Sequence, residues 1–186
     1  MKGIVFNVLK GMVEVNSGIG AWDEALMATE VDGAYTTLGS YPDEELVRIV
    51  DHLAKTQGIS SADFLNKFGR HAFRAMMESC RHITSRYADS RSLLRALNEV
   101  IHPEVRKLYP DSETPDFRVV GESTVMLELE YMSQRSLCSF AVGMAAGAID
   151  YFQERAHIQQ PRCRLRGDSS CRLRIDYLPI GEIQGS

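Results

Sequence analysis

Residues 124–135, Thr-Val-Met-Leu-Glu-Leu-Glu-Tyr-Met-Ser-Gln-Arg, carry the pattern on which the fold prediction rests. Apolar or aromatic side chains stand at every second position from Val125 to Tyr131. This two-residue period is typical of a β-strand with one buried face. A partner strand is predicted over Phe117–Val120, with Gly121-Glu122 as the turn between the two.

The sequence after this strand changes to a helical period. A long helix is predicted over residues 134–155, followed by a hairpin in which residues 163–165 and 171–175 flank a Gly167–Ser170 turn. The buried stripe predicted for the long helix consists of Leu137, Phe140, Ala141, Met144, Ala148 and Phe152.

The sequence before the strands is predicted to be helical. Its elements are a helix from Ile4 to Val13 ended by Gly18, a short helix over 22–29, a loop over 33–41, a helix opened by Pro42, a helix capped by Ser60 or Ser61, and a helix over 90–100. We therefore expect one α+β domain over residues 1–186, with a helical N-terminal part followed by an antiparallel sheet packed around a long helix.

Composition excludes several classes of protein. Hydrophobic residues make up 44% of the 186 residues, which is normal for a globular protein, and the net charge of -4 provides no basic field for nucleic acid. No segment has the roughly 20 apolar residues of a membrane helix, so a cytoplasmic location without membrane contact is expected. In that compartment the four cysteines are expected to be thiols or metal ligands, with Cys80 a small buried residue.

His102 is the first candidate for chemistry. It lies between apolar Ile101 and Val105, which predicts an inward side chain, and neutral imidazole is a good axial ligand for iron. A hydrogen-bonded core histidine is the alternative. Pro103 limits His102 to extended or capping geometry and predicts a helix junction there.

Tyr131-Met132-Ser133-Gln134-Arg135 is the second candidate. In an extended backbone Tyr131, Ser133 and Arg135 point to one side. Two hydroxyls and a guanidinium make a suitable receptor for a carboxylate, while the alternative is a strand end with a solvated arginine.

Taken together, these stretches resemble the H-NOX family, the haem nitric oxide/oxygen binding domains that also form the haem domains of soluble guanylate cyclases. The similarity covers residues 1–9, Trp22-Asp23, residues 102–110 and the Tyr131-x-Ser133-x-Arg135 motif, in order and at family spacing up to about residue 175. The resemblance implies the H-NOX fold and a protohaem IX (haem b) buried between the helical part and the sheet.

The resemblance also implies roles for individual residues. His102 would be the proximal iron ligand, Tyr131, Ser133 and Arg135 would bind the haem propionates, and Pro115 would pack on the haem face. The implied distal residues are Val5, Leu9, Ala72, Phe140 and Met144. Family members that hold oxygen stably have a tyrosine where this chain has Phe140. Bound oxygen benefits from a hydrogen-bond donor, so this pocket is expected to favour nitric oxide and carbon monoxide.

Three cysteines near the end of the chain suggest a second site. Cys138, Cys163 and Cys171 could hold zinc together with one nitrogen ligand. Some bacterial H-NOX relatives bind zinc through three cysteines and a histidine three residues before the second cysteine. Gln160 occupies that position here, so His157 is the possible substitute, and free thiols are the alternative.

We expect a sensor rather than an enzyme. The resemblance to stand-alone bacterial members implies a partner in trans, either a histidine kinase or a diguanylate cyclase/phosphodiesterase. A haem peroxidase would need polar acid–base groups beside the iron, which the implied distal set lacks. A thiol or zinc redox switch with haem as a second input is the other alternative.

Overall fold

A computed structural model describes residues 1–79, 81–135 and 137–179, so Cys80 lies outside the described residues. The N-terminal part contains helices α1 (Gly3–Ser17), α2 (Gly20–Thr29), α3 (Asp43–Thr56) and α4 (Ser61–Ser79). None of the helices in the described ranges is both long and apolar enough to cross a membrane.

Local sequence signals account for these helices, as predicted. The buried residues of α1 recur at helical spacing, and the helix ends at Gly18, whose φ of 94° is favourable for glycine. Ser60 is the cap of α4, because its Oγ accepts a 3.0 Å hydrogen bond from the Asp63 backbone N–H.

The helix predicted over 90–100 is interrupted. Helix α4 is followed by the short helix α5 (Arg81–Thr84). The segment predicted as one helix consists of α6 (Ser90–Arg95) and a π-helix (Leu97–Ile101), after which α7 (His102–Leu108) begins. His102 has helical angles, φ −65° and ψ −38°, so the extended alternative predicted from Pro103 is wrong. The predicted junction is confirmed, since α7 begins at His102 and has Pro103 in its first turn, where a missing N–H is tolerated.

The sheet has four antiparallel strands in the order β1-β2-β4-β3. Its strands are β1 (Asp116–Ser123), β2 (Met126–Met132), β3 (Ala156–Arg162) and β4 (Cys171–Tyr177). The turn predicted at Gly121-Glu122 is wrong, because Gly121 lies inside β1 at a register irregularity and the strands are joined at residues 124–125. The first strand of the terminal hairpin, β3, ends at Arg162, before the predicted residues 163–165. Residues Arg164–Arg166 form a 3-10 turn instead.

Helix α8 (Cys138–Tyr151) is shorter than predicted and buried on more than one face. A Cβ atom on Gly69 of α4 would lie 2.2 Å from the Phe140 carbonyl oxygen, and one on Gly143 would lie 2.1 Å from that of Asn66. The backbones of α4 and α8 therefore approach each other as only glycine allows. Helix α8 is a central element with α4 on one side and the sheet on another, where the sequence suggested a single buried stripe.

The interior consists of two hydrophobic clusters. One lies among α1 to α4, and the other lies between the sheet, α8 and the helices before α7. Met76 and Met144 pack against both clusters, and they mark the boundary at which the site described next is found.

Candidate functional site

A cavity of about 550 Å³ lies between the N-terminal helices, α7, the sheet and α8. This volume is in the range of roughly 300–1,000 Å³ that is typical of cofactor sites. Val5, Phe140 and Met144 belong to its apolar wall, and His102 and Arg135 bring polar groups to it. The cavity can therefore hold a large apolar ligand that has a few polar attachment points.

His102 faces this cavity from the start of α7. Its Nδ1 atom is buried and has no hydrogen-bond partner among the described residues. Burial, and then the charge of Arg106, lower the pKa of His102 to about 4, against the opposing charge of Asp116. The imidazole is thus neutral at pH 7, which is the form that binds metals.

Tyr131 and Ser133 line the cavity where β2 ends. Tyr131 is 5% exposed, and burial raises the pKa of its hydroxyl. Ser133 Oγ accepts a 3.0 Å hydrogen bond from the backbone N–H of Arg135, which fixes the turn that leads into α8. The three residues of the motif therefore all line the cavity.

Arg135 is held by two carboxylates and one backbone carbonyl from other parts of the chain, since its Nη1 also donates to the Glu113 carbonyl oxygen at 2.6 Å. Its Nε donates to Asp43 Oδ2 at 2.5 Å, and its Nη2 donates to Glu113 Oε2 at 3.0 Å. Burial would raise the pKa of Asp43, but hydrogen bonds from the Met1 amino group and Arg135 outweigh burial and hold that pKa below its usual value. An ionised Asp43 thus anchors the guanidinium at the cavity.

A family model described as Haem-NO-binding matches residues 2–160 of this chain. The chain belongs to the H-NOX family. An H-NOX protein from S. oneidensis in the Fe(II)NO state is 31% identical, with a TM-score of 0.91 over 96% of this chain and 100% of that one. The Fe(II) unliganded H-NOX protein from K. algicida is 27% identical, with a TM-score of 0.90 over 99% of this chain and 100% of that one.

A third H-NOX structure, from Shewanella woodyi with IWP-051 bound in the Fe(II)CO state, is 30% identical. Its TM-score is 0.81, over 100% of this chain and 99% of that one. A search of curated proteins found no match. The predicted family and fold are therefore confirmed, and this chain is a domain of the haem-binding, gas-sensing H-NOX family.

The residues of this H-NOX cavity fit a haem. The neutral imidazole of His102 at the cavity suits an axial iron ligand, and Tyr131, Ser133 and Arg135 offer donors to carboxylates at the cavity wall. These two kinds of attachment are what a haem requires of a protein.

The other residues predicted for the pocket divide into two groups. Pro115 lines the cavity, as do Val5, Phe140 and Met144. Leu9 and Ala72 are buried in the cluster of α1 to α4 and are not among the lining residues. The sequence alone does not identify Asp43 and Glu113 as site residues. In the sequence Asp43 is only an acidic residue at the start of a helix, and no local signal links it to Arg135.

A second cluster of chemically reactive side chains consists of three cysteines from α8 and the segments that follow it. The Sγ atoms of Cys138, Cys163 and Cys171 lie within 4.8 Å of one another, and all three residues are buried free thiols. The Sγ atoms of Cys138 and Cys163 are 3.5 Å apart. Three thiols at this spacing fit a metal ion that binds sulfur at about 2.3 Å, such as zinc.

Backbone amides point at these sulfurs. The Arg164 N–H donates to Cys171 Sγ at 3.3 Å. Burial would raise the pKa of Cys163, but hydrogen bonds from the Cys138 thiol and the Leu165 backbone N–H outweigh burial and lower it. Burial raises the pKa of Cys171 to about 11. Of Cys163 and Cys171, it is therefore Cys163 that more readily forms the thiolate.

His157, the residue offered as a fourth ligand, is not brought to the cluster. It is exposed on β3, while its neighbour Ile158 packs on the core, as expected where successive side chains point to opposite faces. Gln160 is partly buried, and its side-chain nitrogen has no hydrogen-bond partner among the described residues. Among the described residues, the cluster therefore consists of the three cysteines alone.

Proposed function

We propose that this H-NOX domain is a nitric oxide sensor that holds protohaem IX through His102. Ferrous haem supplies the iron centre at which nitric oxide and carbon monoxide bind. In this proposal Tyr131, Ser133 and Arg135 bind the haem propionates, and Pro115 packs against the haem. The neutral, largely buried imidazole of His102 among the residues that line the cavity is the observation that carries the proposal.

Selectivity for nitric oxide rests on the wall formed by α1 and α8. Val5, Phe140 and Met144 line the cavity there, and their side chains carry no hydrogen-bond donor. Oxygen bound to ferrous haem depends on such a donor, whereas nitric oxide and carbon monoxide depend on one far less. We therefore propose that the domain binds these two gases and does not hold oxygen stably.

Signalling in this proposal passes to a separate protein. The family resemblance supports a histidine kinase or a diguanylate cyclase/phosphodiesterase as the partner, with the domain itself acting as a sensor without catalysis. A cytoplasmic location is in keeping with the free thiols of Cys138, Cys163 and Cys171.

Absorption spectra of the reduced protein test the proposal directly. We expect a strong Soret band that shifts with carbon monoxide and with nitric oxide, and we expect air to give only oxidation. A lasting oxygen complex would contradict the argument from Phe140. The absence of a Soret band after purification from haem-supplied cells would overturn the haem site as a whole.

The cysteine cluster favours a second function, a thiol or zinc switch that acts beside the haem. Its three sulfurs are close enough either to share a metal ion or, between Cys138 and Cys163, to form a disulfide after a small movement, when a two-electron oxidant such as a peroxide takes up the two electrons and two protons are released. Metal analysis of protein purified without chelator, together with a thiol titration, separates the two states.

A further inference from the structure

We propose that Asp43 and Glu113 act on haem binding in opposite directions through the guanidinium of Arg135. Asp43 is a positioning residue that aims Arg135 at the haem carboxylates, and Glu113 is a carboxylate that competes with them. The inference rests on the proposed role of Arg135 as a haem-carboxylate ligand.

Asp43 is a fixed anchor. It is the first residue of α3, where the helix dipole favours a negative charge, and it receives the Nε hydrogen bond of Arg135 at 2.5 Å. The Asp43 and Arg135 side chains are 31% and 18% exposed, so the pair is largely shielded from water. Because the Met1 amino group lies 2.6 Å from the other Asp43 oxygen, this carboxylate is already charge-compensated and adds little repulsion toward a bound anion.

Glu113 is held far less firmly. It belongs to the loop between α7 and β1, its side chain is 83% exposed, and it accepts from Nη2 of Arg135 at 3.0 Å. An exposed ion pair of this kind contributes little and is easily displaced. Both Glu113 and Arg135 line the cavity, so a haem carboxylate that reaches Arg135 must share the guanidinium with the Glu113 side chain or replace it.

The two carboxylates therefore have opposite consequences. Loss of the Asp43 charge removes the anchor at Nε and leaves the guanidinium bonded to Glu113, whose carbonyl oxygen accepts from Nη1 at 2.6 Å and whose Oε2 accepts from Nη2. Orienting Arg135 toward the haem carboxylates then costs free energy when haem binds. Loss of the Glu113 charge removes a competitor and leaves the anchor in place. Sequence proximity predicts neither effect, because Asp43 and Arg135 are 92 positions apart.

The test measures the rate of haem transfer from the holoprotein to an excess of apomyoglobin. The variants are Asp43→Asn, Glu113→Gln and, as the matched control, Glu44→Gln, which removes an exposed charge from the same first turn of α3. We expect haem loss to be about fivefold faster in Asp43→Asn, about two- to threefold slower in Glu113→Gln, and unchanged in the control.

Two further measurements separate positioning from a general effect on folding. In an Arg135→Ala background, Asp43→Asn should have no additional effect on haem loss, because its action passes through the arginine. With haem dimethyl ester, whose carboxylates carry no charge, both Asp43→Asn and Glu113→Gln should release haem at the wild-type rate for that ester. A merely structural defect would persist in both experiments.

The outcomes also distinguish this inference from the function on which it rests. If Arg135→Ala loses haem no faster than wild type, and wild type holds the ester as firmly as protohaem, Arg135 is not a carboxylate ligand and both proposals fail. If Arg135→Ala loses haem quickly but Asp43→Asn and Glu113→Gln change the rate in the same direction or not at all, the inference alone is overturned.

Discussion

Gly143→Ala is expected to destabilise the domain, although alanine is the better helix former. The added methyl group would lie 2.1 Å from the carbonyl oxygen of Asn66 and 2.9 Å from its carbonyl carbon. These are backbone atoms of α4, so no flexible side chain can move aside. Helices α4 and α8 would have to separate by about 1 Å, because interiors are packed at van der Waals distance.

The magnitude follows from two opposing effects. Overpacking a well-packed interior costs about 1–3 kcal/mol, and backbone against backbone belongs at the upper end or beyond. The helix propensity of alanine over glycine returns about 1 kcal/mol. A net loss of about 2 kcal/mol lowers the Tm of a domain of this size by about 4–8 °C.

The assay is thermal unfolding of the haem-loaded protein, followed by circular dichroism at matched haem occupancy. Gly11→Ala is the control, because a Cβ atom on Gly11 of α1 meets nothing within 4 Å. It should raise the free energy of unfolding by about 0.4–1 kcal/mol. If Gly143→Ala stabilised the protein as much as Gly11→Ala does, the close contact between α4 and α8 would be refuted.

Three further predictions concern the two sites. His102→Gly should purify with little haem and regain some when imidazole is added, since the imidazole fills the cavity left by the side chain; full haem content with an unchanged reduced spectrum would rule out His102 as the iron ligand. Arg135→Ala should lose haem faster than Ser133→Ala, because only the former removes a charge; equal, full occupancy in both would count against the carboxylate site. Wild-type protein should contain about one zinc per chain by metal analysis, and Cys138→Ser should contain much less; equal zinc in the two proteins would place the metal elsewhere.

Local patterns in the sequence were enough for most of the elements. The capping signal at Ser60 and the stop at Gly18 depend on neighbours a few positions away, and both are found as predicted. The alternation is confirmed only in part: Leu127, Leu129 and Tyr131 are buried, but Glu130 is buried too, and Val125, predicted on the same face, is exposed. Errors occurred where distant contacts decide the local structure. Gly121 was predicted to form a turn because glycine often does, but pairing with β2 keeps it inside a strand.

The long helix shows the same limit. Its period predicted one buried stripe, yet Gly143 and Gly147 are buried as well, because α4 covers the face that they form. A sequence window contains no information about which helix will pack on that face. The small residues there were a signal of close approach, but their partner could come only from the assembled fold.

By itself, the sequence determined the family, the helical and strand character of most segments, and the residue types offered to a haem, because motif and period are properties of short stretches of chain. Tertiary structure decided which of those residues meet. It brought Asp43 to Arg135 across 92 positions, joined the thiols of Cys138 and Cys163 across 25, and left His157 on the outer face of its strand. Such contacts depend on how whole elements pack, and packing is fixed by shape and burial over the entire domain rather than by any local pattern.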